Sequence, residues 1–263
     1  MSNPSQTLSV AIVAMDEEAN LGRTLASVRW ADEIVVVDSG SKDRTCEIAR
    51  EYGARVIVEP WRGYVAQKQY AIGLCSQDWV LLLDADEEVS SGLAEEIRAV
   101  LADPDALNAY WTPRKNLFLG RWIKHGGFYP DPKLRLFRRG LGVVAGHDPH
   151  DRVDFRPGVA SPTRRFHNAL VHYTYPTLTY YIGHMNRYSS LGAQDALAKG
   201  QRGFSVANIV FRPLATFVYN YIFRLGFLDG REGLLLHLYH AVYVSWKYAK
   251  AWELARTEQA SQG

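Results

Sequence analysis

Acidic side chains follow three of the apolar runs in the first part of the chain. The positions are Asp16, Glu17 and Glu18 after LSVAIVA, Asp38 at the end of EIVVVD, and Asp84, Asp86, Glu87 and Glu88 after WVLLL. If these runs are neighbouring parallel strands, the carboxylates meet at one edge of a sheet, where ligands of open α/β sheets bind. Carboxylates in small number suit Mg²⁺ or Mn²⁺, which usually bridges to substrate phosphates. The pattern predicts a metal-bound diphosphate, with Asp86 as the metal ligand and Asp38 as a contact to the nucleoside.

The Asp-x-Asp pattern alone carries little information, because Asp103 and Asp105 repeat it in a polar stretch that predicts a loop. Glu87 and Glu88, which follow the Asp-x-Asp pattern of Asp84 and Asp86, are also suited to the first turn of a helix, because the helix dipole favours negative charge there. Asp43 fits a helix cap as well as a ligand. What distinguishes Asp86 is the strongly apolar run directly before it.

The residues after the first apolar run exclude two large classes of nucleotide-binding enzyme. MDEEAN stands where dinucleotide-binding and P-loop enzymes have their glycine motifs. A sugar-phosphate nucleotidyltransferase, which we keep as an alternative enzyme, would also need a Gly-rich loop at this point.

Basic residues are concentrated between 111 and 170, with 12 Lys and Arg against 4 Asp and Glu, whereas 1–110 has 9 against 19. This division is untypical of a nucleic-acid-binding protein, which concentrates positive charge on one recognition element, so we expect no nucleic-acid partner. In a strand, Arg135 shares a face with Lys133 and Phe137 and is the best placed of the basic residues for a buried anion contact. A solvated sheet edge is the alternative for this segment.

The composition is that of a globular protein, with 263 residues, 47% hydrophobic and 22% charged. The N-terminus lacks the positive region of a signal peptide, and Cys46 and Cys75 lack zinc-ligand spacing, so we expect a cytoplasmic protein. No stretch reaches the ~18 uninterrupted apolar residues of a membrane-spanning helix.

Four short runs rich in Val, Ile and Leu predict strands buried on both faces, each followed by a predicted helix. The strands are 8–14, 33–37, 55–58 and 79–83, and the helices are 17–29, 43–52, 64–75 and 90–101. This alternation predicts an α/β fold with a doubly wound, mostly parallel sheet over 1–105. Short strands such as 108–112 and 133–137 predict that 106–172 extends the same sheet. From 173 onward the predicted helices are 177–198, 206–227 and 231–255.

Three segments, in this order and at these intervals, resemble the family 2 glycosyltransferases: MDEEAN, EIVVVDSGSKDRT and WVLLLDADEEV. Four others resemble the subgroup that extends the lipopolysaccharide inner core, namely WRGYVAQKQY, RLFRR, HDRV and HYTYP. The resemblance implies an inverting, metal-dependent enzyme with the nucleotide-sugar-binding glycosyltransferase A-type fold. It implies a glycosyltransferase domain at 1–172, with a nucleotide-binding half at 1–105 and an acceptor half at 106–172. A helical, membrane-associated extension is implied at 173–263.

The resemblance also implies a role for individual donor-site residues. Glu17 borders the nucleoside, Asp38 contacts its base, Asp84 lies near the ribose, Asp86 holds Mg²⁺ or Mn²⁺, and Lys68, Arg135 and Arg138 meet the diphosphate or the donor sugar. Two departures from the family pattern are mild, with Asp16 where Asn is usual and Gln69 where Asn is common.

Displacement at an anomeric carbon needs a base that takes the proton of the acceptor hydroxyl. The loop GHDPHDRV contains two candidates, Asp148 and Asp151. The resemblance favours Asp151, although many relatives have Glu there and the side chain is one methylene shorter. His147 and His150 would suit a metal site, but no third ligand stands at a defined spacing.

The predicted reaction moves a hexose, with glucose as the expected sugar, from a nucleotide diphosphate sugar to a lipid-linked saccharide such as the lipopolysaccharide inner core. Another cell-surface polysaccharide or a glycolipid is the alternative acceptor. Aromatic residues that would stack on acceptor sugars, or else pack in the core, are Trp111, Trp122, Phe128 and Tyr129. Basic and aromatic residues within apolar helices over 206–255 predict attachment to the inner face of the cytoplasmic membrane without crossing it. Packing of these helices against protein is the alternative.

Overall fold

The chain folds into two compact units. The computed structural model describes residues 6–147, 150–158, 162–201 and 203–260. Unit 1 comprises Met1–Lys115 and Asp131–Tyr173, and unit 2 comprises Asn116–Pro130 and Thr174–Gly263. The sequence-based division has one boundary, at 172/173, and does not separate the segment 116–130 from the residues around it.

The strands and helices of the described residues have the following bounds. Up to residue 102 each strand is followed by a helix, except that two strands precede the fourth helix. The strands are β1 (Leu8–Ala14), β2 (Glu33–Asp38), β3 (Arg55–Val58), β4 (Trp79–Asp84), β5 (Glu87–Val89), β6 (Ala109–Thr112), β7 (Arg114–Phe118), β8 (Arg121–Trp122), β9 (Lys133–Arg138), β10 (Gly142–His147), β11 (His150–Phe155), β12 (Thr163–Arg165) and β13 (Leu170–Tyr175). The helices are α1 (Leu21–Ser27), α2 (Thr45–Glu51), α3 (Tyr64–Gly73), α4 (Ser91–Ala102), α5 (Leu178–Ala198), α6 (Arg212–Val218) and α7 (Gly230–Ala260).

The central sheet of unit 1 has seven strands in the order β12-β6-β9-β4-β1-β2-β3. The pairs β1–β2, β1–β4, β2–β3 and β6–β12 are parallel, and β9 is antiparallel to both β4 and β6. The chain therefore leaves β1 in one direction along the sheet and returns to its other side with β4. The predicted mostly parallel sheet is confirmed, and the switch in strand order falls at β1, where a ligand crevice is expected.

Successive residues of the central strands face opposite sides of the sheet, which gives unit 1 two apolar layers. Val10, Ile12 and Leu81 pack on one side with residues of α1 and α4. Val35 and Leu82 pack on the other side with residues of α3. Runs of Val, Ile and Leu form these strands because both faces are covered.

The segment 106–172 differs in part from its prediction. Strands β6, β9 and β12 join the central sheet, whereas β10 and β11 form a separate two-stranded sheet among the residues that the structure describes. Their Val144 and Val153 belong to the same apolar layer as Ala71 and Ile72 of α3. The hairpin therefore covers α3 rather than extending the sheet, because its buried side chains find their partners there.

The first helix also begins later than predicted. Asp16 has a φ of 55°, and the carbonyl of Glu17 accepts hydrogen bonds from the amides of Asn20 and Leu21. Residues 17–20 therefore form a turn at the carboxyl end of β1, and α1 begins at Leu21. Asn and Asp adopt the left-handed conformation of Asp16 more readily than other non-glycine residues.

Unit 2 is built on the packing of α5 against α7, with small residues such as Ala193 and Ala251 buried at their contact. The predicted helix at 206–227 is interrupted, because α6 continues at both ends into π-helical turns, Ala207–Phe211 and Tyr219–Phe223. Leu225 then adopts a φ of 60°, which ends the helix. Among the residues that the structure describes, every helix is too short or too polar to cross a bilayer.

Asp229 ties a glycine-containing loop to the C-terminal helices within unit 2. Its carboxylate accepts the backbone N–H groups of Lys124 at 3.2 Å and His125 at 2.8 Å, and lies 3.0 Å from Nδ1 of His125. Gly126 donates its N–H to the carbonyl of Arg224, and a Cβ at Gly126 would lie 2.0 Å from the His237 ring. These contacts explain why 116–130 belongs to unit 2, although Asp229 is about a hundred residues away in sequence.

Asp229→Ala is expected to destabilise unit 2 by about 2–3 kcal/mol, because it removes the buried, charged acceptor of two backbone N–H groups. Hydrogen exchange of a peptide covering 121–130, followed by mass spectrometry, should show lost protection at Lys124 and His125. Asp229→Asn keeps one acceptor oxygen and should lose less protection. Wild-type protection in the alanine variant would contradict this role.

Candidate active site

Three loops of unit 1 meet at the carboxyl edge of the central sheet. The end of β1 lies between β2 and β4, with Ala14 paired to Asp38 and Val13 paired to Asp84. The acidic residues that follow these strands therefore share one edge, as their positions after parallel strands predict.

Asp38 organises the loop that follows β2. Its side chain is buried, and Oδ2 accepts the backbone N–H groups of Gly40 and Ser41, each at 2.9 Å, while the Ser41 hydroxyl donates to Oδ1. Gly40 has a φ of 96°, which favours glycine. Asp16 joins the same loop by accepting the N–H of Lys42 at 2.7 Å. The β1 and β2 loops are thus held together by carboxylate-to-amide hydrogen bonds.

Glu17 is the acidic residue of the β1 loop that faces the other carboxylates. Burial raises its pKa to about 7, and the nearby charges of Asp86, Asp43 and Asp84 act in the same direction, while a hydrogen bond from Asn20 opposes them. Burial is the larger cause, and the three neighbouring carboxylates add to it. A cation bound nearby would favour the ionised form of Glu17.

Asp84 lies between two buried cations. Its Oδ1 is 2.7 Å from Nζ of Lys68, and its Oδ2 is 2.6 Å from Nη2 of Arg135. Burial alone would raise the pKa of Asp84, but Arg135 and then Lys68 hold it well below its usual range. Arg135 is only 4% exposed, and the anions that it contacts are protein carboxylates, so its contact to the donor stays a prediction.

Glu87 is a second acceptor for the same cations. It is completely buried, with Oε1 2.7 Å from Arg135 and 3.1 Å from Arg114, while Oε2 accepts the N–H of Asp84. Arg114 also lies 2.5 Å from Asp131. Glu87 belongs to the short strand β5, so its interpretation as a helix N-terminal residue was wrong. A signal for this pairing was present in the sequence, because a cluster of acidic residues is matched by the basic segment that contains Arg114 and Arg135.

Asp86 is paired with a histidine that the sequence reasoning did not assign. Its Oδ2 lies 3.3 Å from Nε2 of His172, and its carbonyl accepts the N–H of Tyr173 at 3.0 Å. The His172 interaction lowers the pKa of Asp86 against the opposing effect of burial. Antiparallel pairing of β5 with β13, with His172 opposite Glu87, brings this histidine to the site.

Asp151 is brought to the same group by Lys68. Oδ2 of Asp151 lies 2.9 Å from Nζ of Lys68. In the β10–β11 hairpin, Asp151 pairs with Gly146. Asp148, the other candidate base, lies outside the described residues, as do the side chains of His147 and His150. Asp151 as the base therefore stays a prediction.

Arg138 is separated from the other predicted donor contacts. It pairs with Trp79 at the beginning of β4, whereas Asp84 lies at the end of that strand. Its guanidinium donates to Gln6 at 2.8 Å and lies 4.7 Å from the centroid of the Trp79 ring. The structure thus groups Glu17, Asp84 and Asp86 with Lys68, Arg135 and Asp151, places Asp38 on the adjoining loop, and puts Arg138 at the opposite edge. We leave Arg138 out of the donor site proposed below.

Comparison with known proteins shows the family to which the chain belongs. The family model described as glycosyl transferase family 2 matches residues 9–185. The chain belongs to glycosyl transferase family 2. The lipopolysaccharide core biosynthesis glycosyltransferase LpsC of Rhizobium meliloti is 32% identical over 257 residues, covering 95% of this chain and 93% of that protein. A glycosyltransferase of Rickettsia typhi is 32% identical over 257 residues, covering 94% of this chain and 87% of the relative.

Solved structures overlap the chain over a smaller part. The glucosyl-3-phosphoglycerate synthase of Mycobacterium tuberculosis, in complex with Mn²⁺, UDP and glucosyl-3-phosphoglycerate, covers 43% of this chain and 44% of that chain, with 24% identity and a TM-score of 0.35. The family assignment and the fold class predicted from sequence are both confirmed by the family match. The protein is a glycosyltransferase with an A-type fold, a mostly parallel sheet and C-terminal helices. A nucleotidyltransferase finds no support in this match.

The residues at the sheet edge fit a divalent metal bound jointly with a substrate. The described residues contain no group of three or more His, Cys, Asp or Glu side chains arranged to hold a metal by themselves. Mg²⁺ is commonly held by one or two carboxylates together with substrate phosphates and water, so a complete protein cage is unnecessary. Asp86, paired with His172 and close to Glu17, has the donor chemistry for such a site.

Proposed function

We propose that the protein transfers a hexose from a nucleotide diphosphate sugar to a lipid-linked saccharide of the lipopolysaccharide core, with inversion at the anomeric carbon. The observation that carries the proposal is the convergence of the β1, β2 and β4 loop carboxylates at one sheet edge, with Asp151 joined to them through Lys68. Similarity to LpsC along nearly the whole chain supports the choice of acceptor class.

A divalent metal is part of this proposal because the buried cations of the site are already paired. Lys68, Arg114 and Arg135 face the carboxylates listed here: Asp84, Glu87, Asp131 and Asp151. With Lys133, which lies 3.3 Å from Asp131, four positive charges stand against these four negative ones. The group therefore has no excess positive charge to offer a donor diphosphate. Mg²⁺ or Mn²⁺ held by Asp86 would supply the missing positive charge and stabilise the departing nucleoside diphosphate.

Inversion requires one displacement, in which the acceptor hydroxyl attacks and its proton passes to a base. Asp151 is the proposed base, since it is a partly exposed carboxylate on the same network as Asp84. Glu17 and Asp38 on the β1 and β2 loops are proposed to border the nucleoside, Asp84 to lie near the ribose, and Lys68 and Arg135 to line the diphosphate side. Glucose is the expected hexose.

Release of nucleoside diphosphate tests the transfer directly. Purified protein, Mn²⁺ and a panel of nucleotide sugars should be incubated with and without a lipid-linked core saccharide truncated before its outer hexoses. We expect release with one donor and a strong dependence on the acceptor, with the new linkage identified by NMR. Release that occurs only with a lipid-free phosphorylated acceptor would contradict the acceptor class while leaving the glycosyltransferase itself in place.

A surface of unit 2 supports the proposal that the enzyme lies on the inner face of the cytoplasmic membrane. Large apolar side chains between 204 and 228 are exposed, among them Phe211 at 63% and Phe223 at 73%. Soluble monomers rarely expose so many apolar side chains together. Arg212 and Arg224 belong to the same segment and would add attraction to anionic headgroups, about 1 kcal/mol for each basic residue near the surface.

Phe211→Ser combined with Phe223→Ser is expected to weaken co-sedimentation with anionic liposomes at least about tenfold, since burying a Phe side chain is worth about 1.5–3 kcal/mol. The wild type should pellet at low salt and less at high salt. Val58→Ser, at an apolar position in unit 1 that is 59% exposed, is the matched control and should pellet like the wild type. Wild-type protein that stays in the supernatant at every salt concentration would rule out this attachment.

A further inference from the structure

We infer that Lys68 is a positioning residue for the base: it holds the Asp151 carboxylate in place, and it ties that carboxylate to the donor side of the site through Asp84. The inference rests on the proposed function and deepens it, because the sequence predicts for Lys68 only a contact to the diphosphate or the donor sugar.

Alternating charges form a continuous chain through the site. Glu87 contacts Arg135, Arg135 contacts Asp84, Asp84 contacts Lys68, and Lys68 contacts Asp151, with each N–O distance between 2.6 and 2.9 Å. Arg135 occupies one oxygen of Asp84 and Lys68 the other. Because Arg135 already balances Asp84, the Lys68 ammonium has charge available for Asp151.

Lys68 is held rigidly enough to orient another side chain. It is 8% exposed, and burial alone would lower its pKa, yet Asp84, and to a lesser extent Asp151, raise it above the ordinary value against the opposing charge of Arg135. The lysine therefore remains a cation while it is buried. Its ammonium lies 2.9 Å from Oδ2 of Asp151 and can therefore fix the direction of that carboxylate.

The neighbours of Lys68 on α3 contact the elements on either side. Gln67, fully buried, donates to the Ser39 hydroxyl at 3.2 Å and to the Glu59 carbonyl at 3.1 Å. Gln69 accepts the N–H of Val144 in β10 at 2.8 Å. The Gln-Lys-Gln segment thus joins the β2 loop, the β4 carboxylate and the hairpin that carries Asp151. This arrangement explains a polar triplet on a helix that otherwise packs in the apolar core.

Lys68 is the charged group that faces Asp151 from α3. On its other side Lys68 contacts Asp84 of β4, which in turn contacts Arg135 of β9. Arg152 and Asp154, which follow Asp151 on β11, pair with each other at 2.9 Å. Of the described side chains around Asp151, Lys68 is the one whose loss removes a direct ion pair.

Lys68→Met tests the inference through kcat at saturating donor. Without the ammonium, Asp151 loses the group that orients it, so kcat should fall at least about tenfold, towards the roughly 10²- to 10⁴-fold loss expected when a base is removed. Lys68→Arg keeps a cation at this position and should recover most of kcat, which a purely structural defect would not do. Lys199→Met, at an exposed lysine of unit 2, is the control for loss of a lysine and should change nothing.

A direct role for Lys68 at the donor gives a different pattern. A raised KM for the donor in Lys68→Met, with kcat unchanged, would overturn the inference while leaving the proposed function intact. Lys68→Gln carries the same expectations and replaces the Met variant if that protein fails to fold. Retention of full transfer activity in Asp151→Asn would instead contradict the proposed base itself, whatever Lys68 does.

Discussion

Asp151→Asn is expected to lower kcat by about 10²- to 10⁴-fold, which is the usual effect of removing a general base. The amide has nearly the shape of the carboxylate but accepts no proton at neutral pH. Donor affinity should change little, because the acceptor proton is transferred after the donor has bound. Single-turnover transfer and equilibrium binding of the nucleoside diphosphate measure the two effects separately.

Two variants of the same loop and hairpin serve as controls for this prediction. Asp154→Asn alters a half-exposed carboxylate that pairs with Arg152, three residues from Asp151, and should keep wild-type turnover. Asp148→Asn should also show little effect. If Asp148→Asn is the inactive variant and Asp151→Asn is active, the base has been assigned to the wrong aspartate.

Removal of the divalent metal is expected to abolish transfer, and Mn²⁺ or Mg²⁺ should restore it. Asp86→Asn should fold normally but lose at least about a hundredfold in turnover, since a metal contributes several kcal/mol to stabilising the departing charge. Donor-dependent thermal stabilisation with and without Mn²⁺ gives a readout independent of turnover, because a ligand bound to the folded state raises its stability.

The second Asp-x-Asp sequence supplies a matched control for the metal. Asp105→Asn changes an exposed aspartate in the same local pattern and should keep both activity and Mn²⁺-dependent stabilisation. Full transfer activity in excess EDTA would exclude the metal, and an active Asp86→Asn variant would exclude Asp86 as its ligand.

The strands of residues 1–105 and the shared edge of their carboxylates could be predicted from the sequence. Continuous apolar runs identify strands buried on both faces, and β1 and β3 have the predicted bounds. Parallel strands linked by helices must end at the same edge, so the sequence predicts that Asp38, Asp84 and Asp86 are neighbours. Local pattern and connection rules are sufficient for this much.

The tertiary structure was needed to show that the two arginines of β9 lie at opposite edges of the sheet. Arg135 and Arg138 stand three residues apart in one basic segment, and both were predicted to meet the donor. Strand β9 runs antiparallel to β4, so its early residues lie at the carboxyl edge of the sheet and Arg138 lies at the amino edge. The direction of a strand that joins a parallel sheet late in the chain depends on long-range pairing, which no local pattern records.

Ionic partners and the attachment of residues 116–130 were likewise decided by contacts between residues far apart in sequence. Lys68 and Asp151 are 83 positions apart, and His125 and Asp229 are 104 apart. Sequence shows that acidic and basic groups are both abundant, but it does not show which pairs are buried together. Burial makes an unpaired charge costly, so each buried charge must find a partner, and only the folded chain determines which partner is within reach.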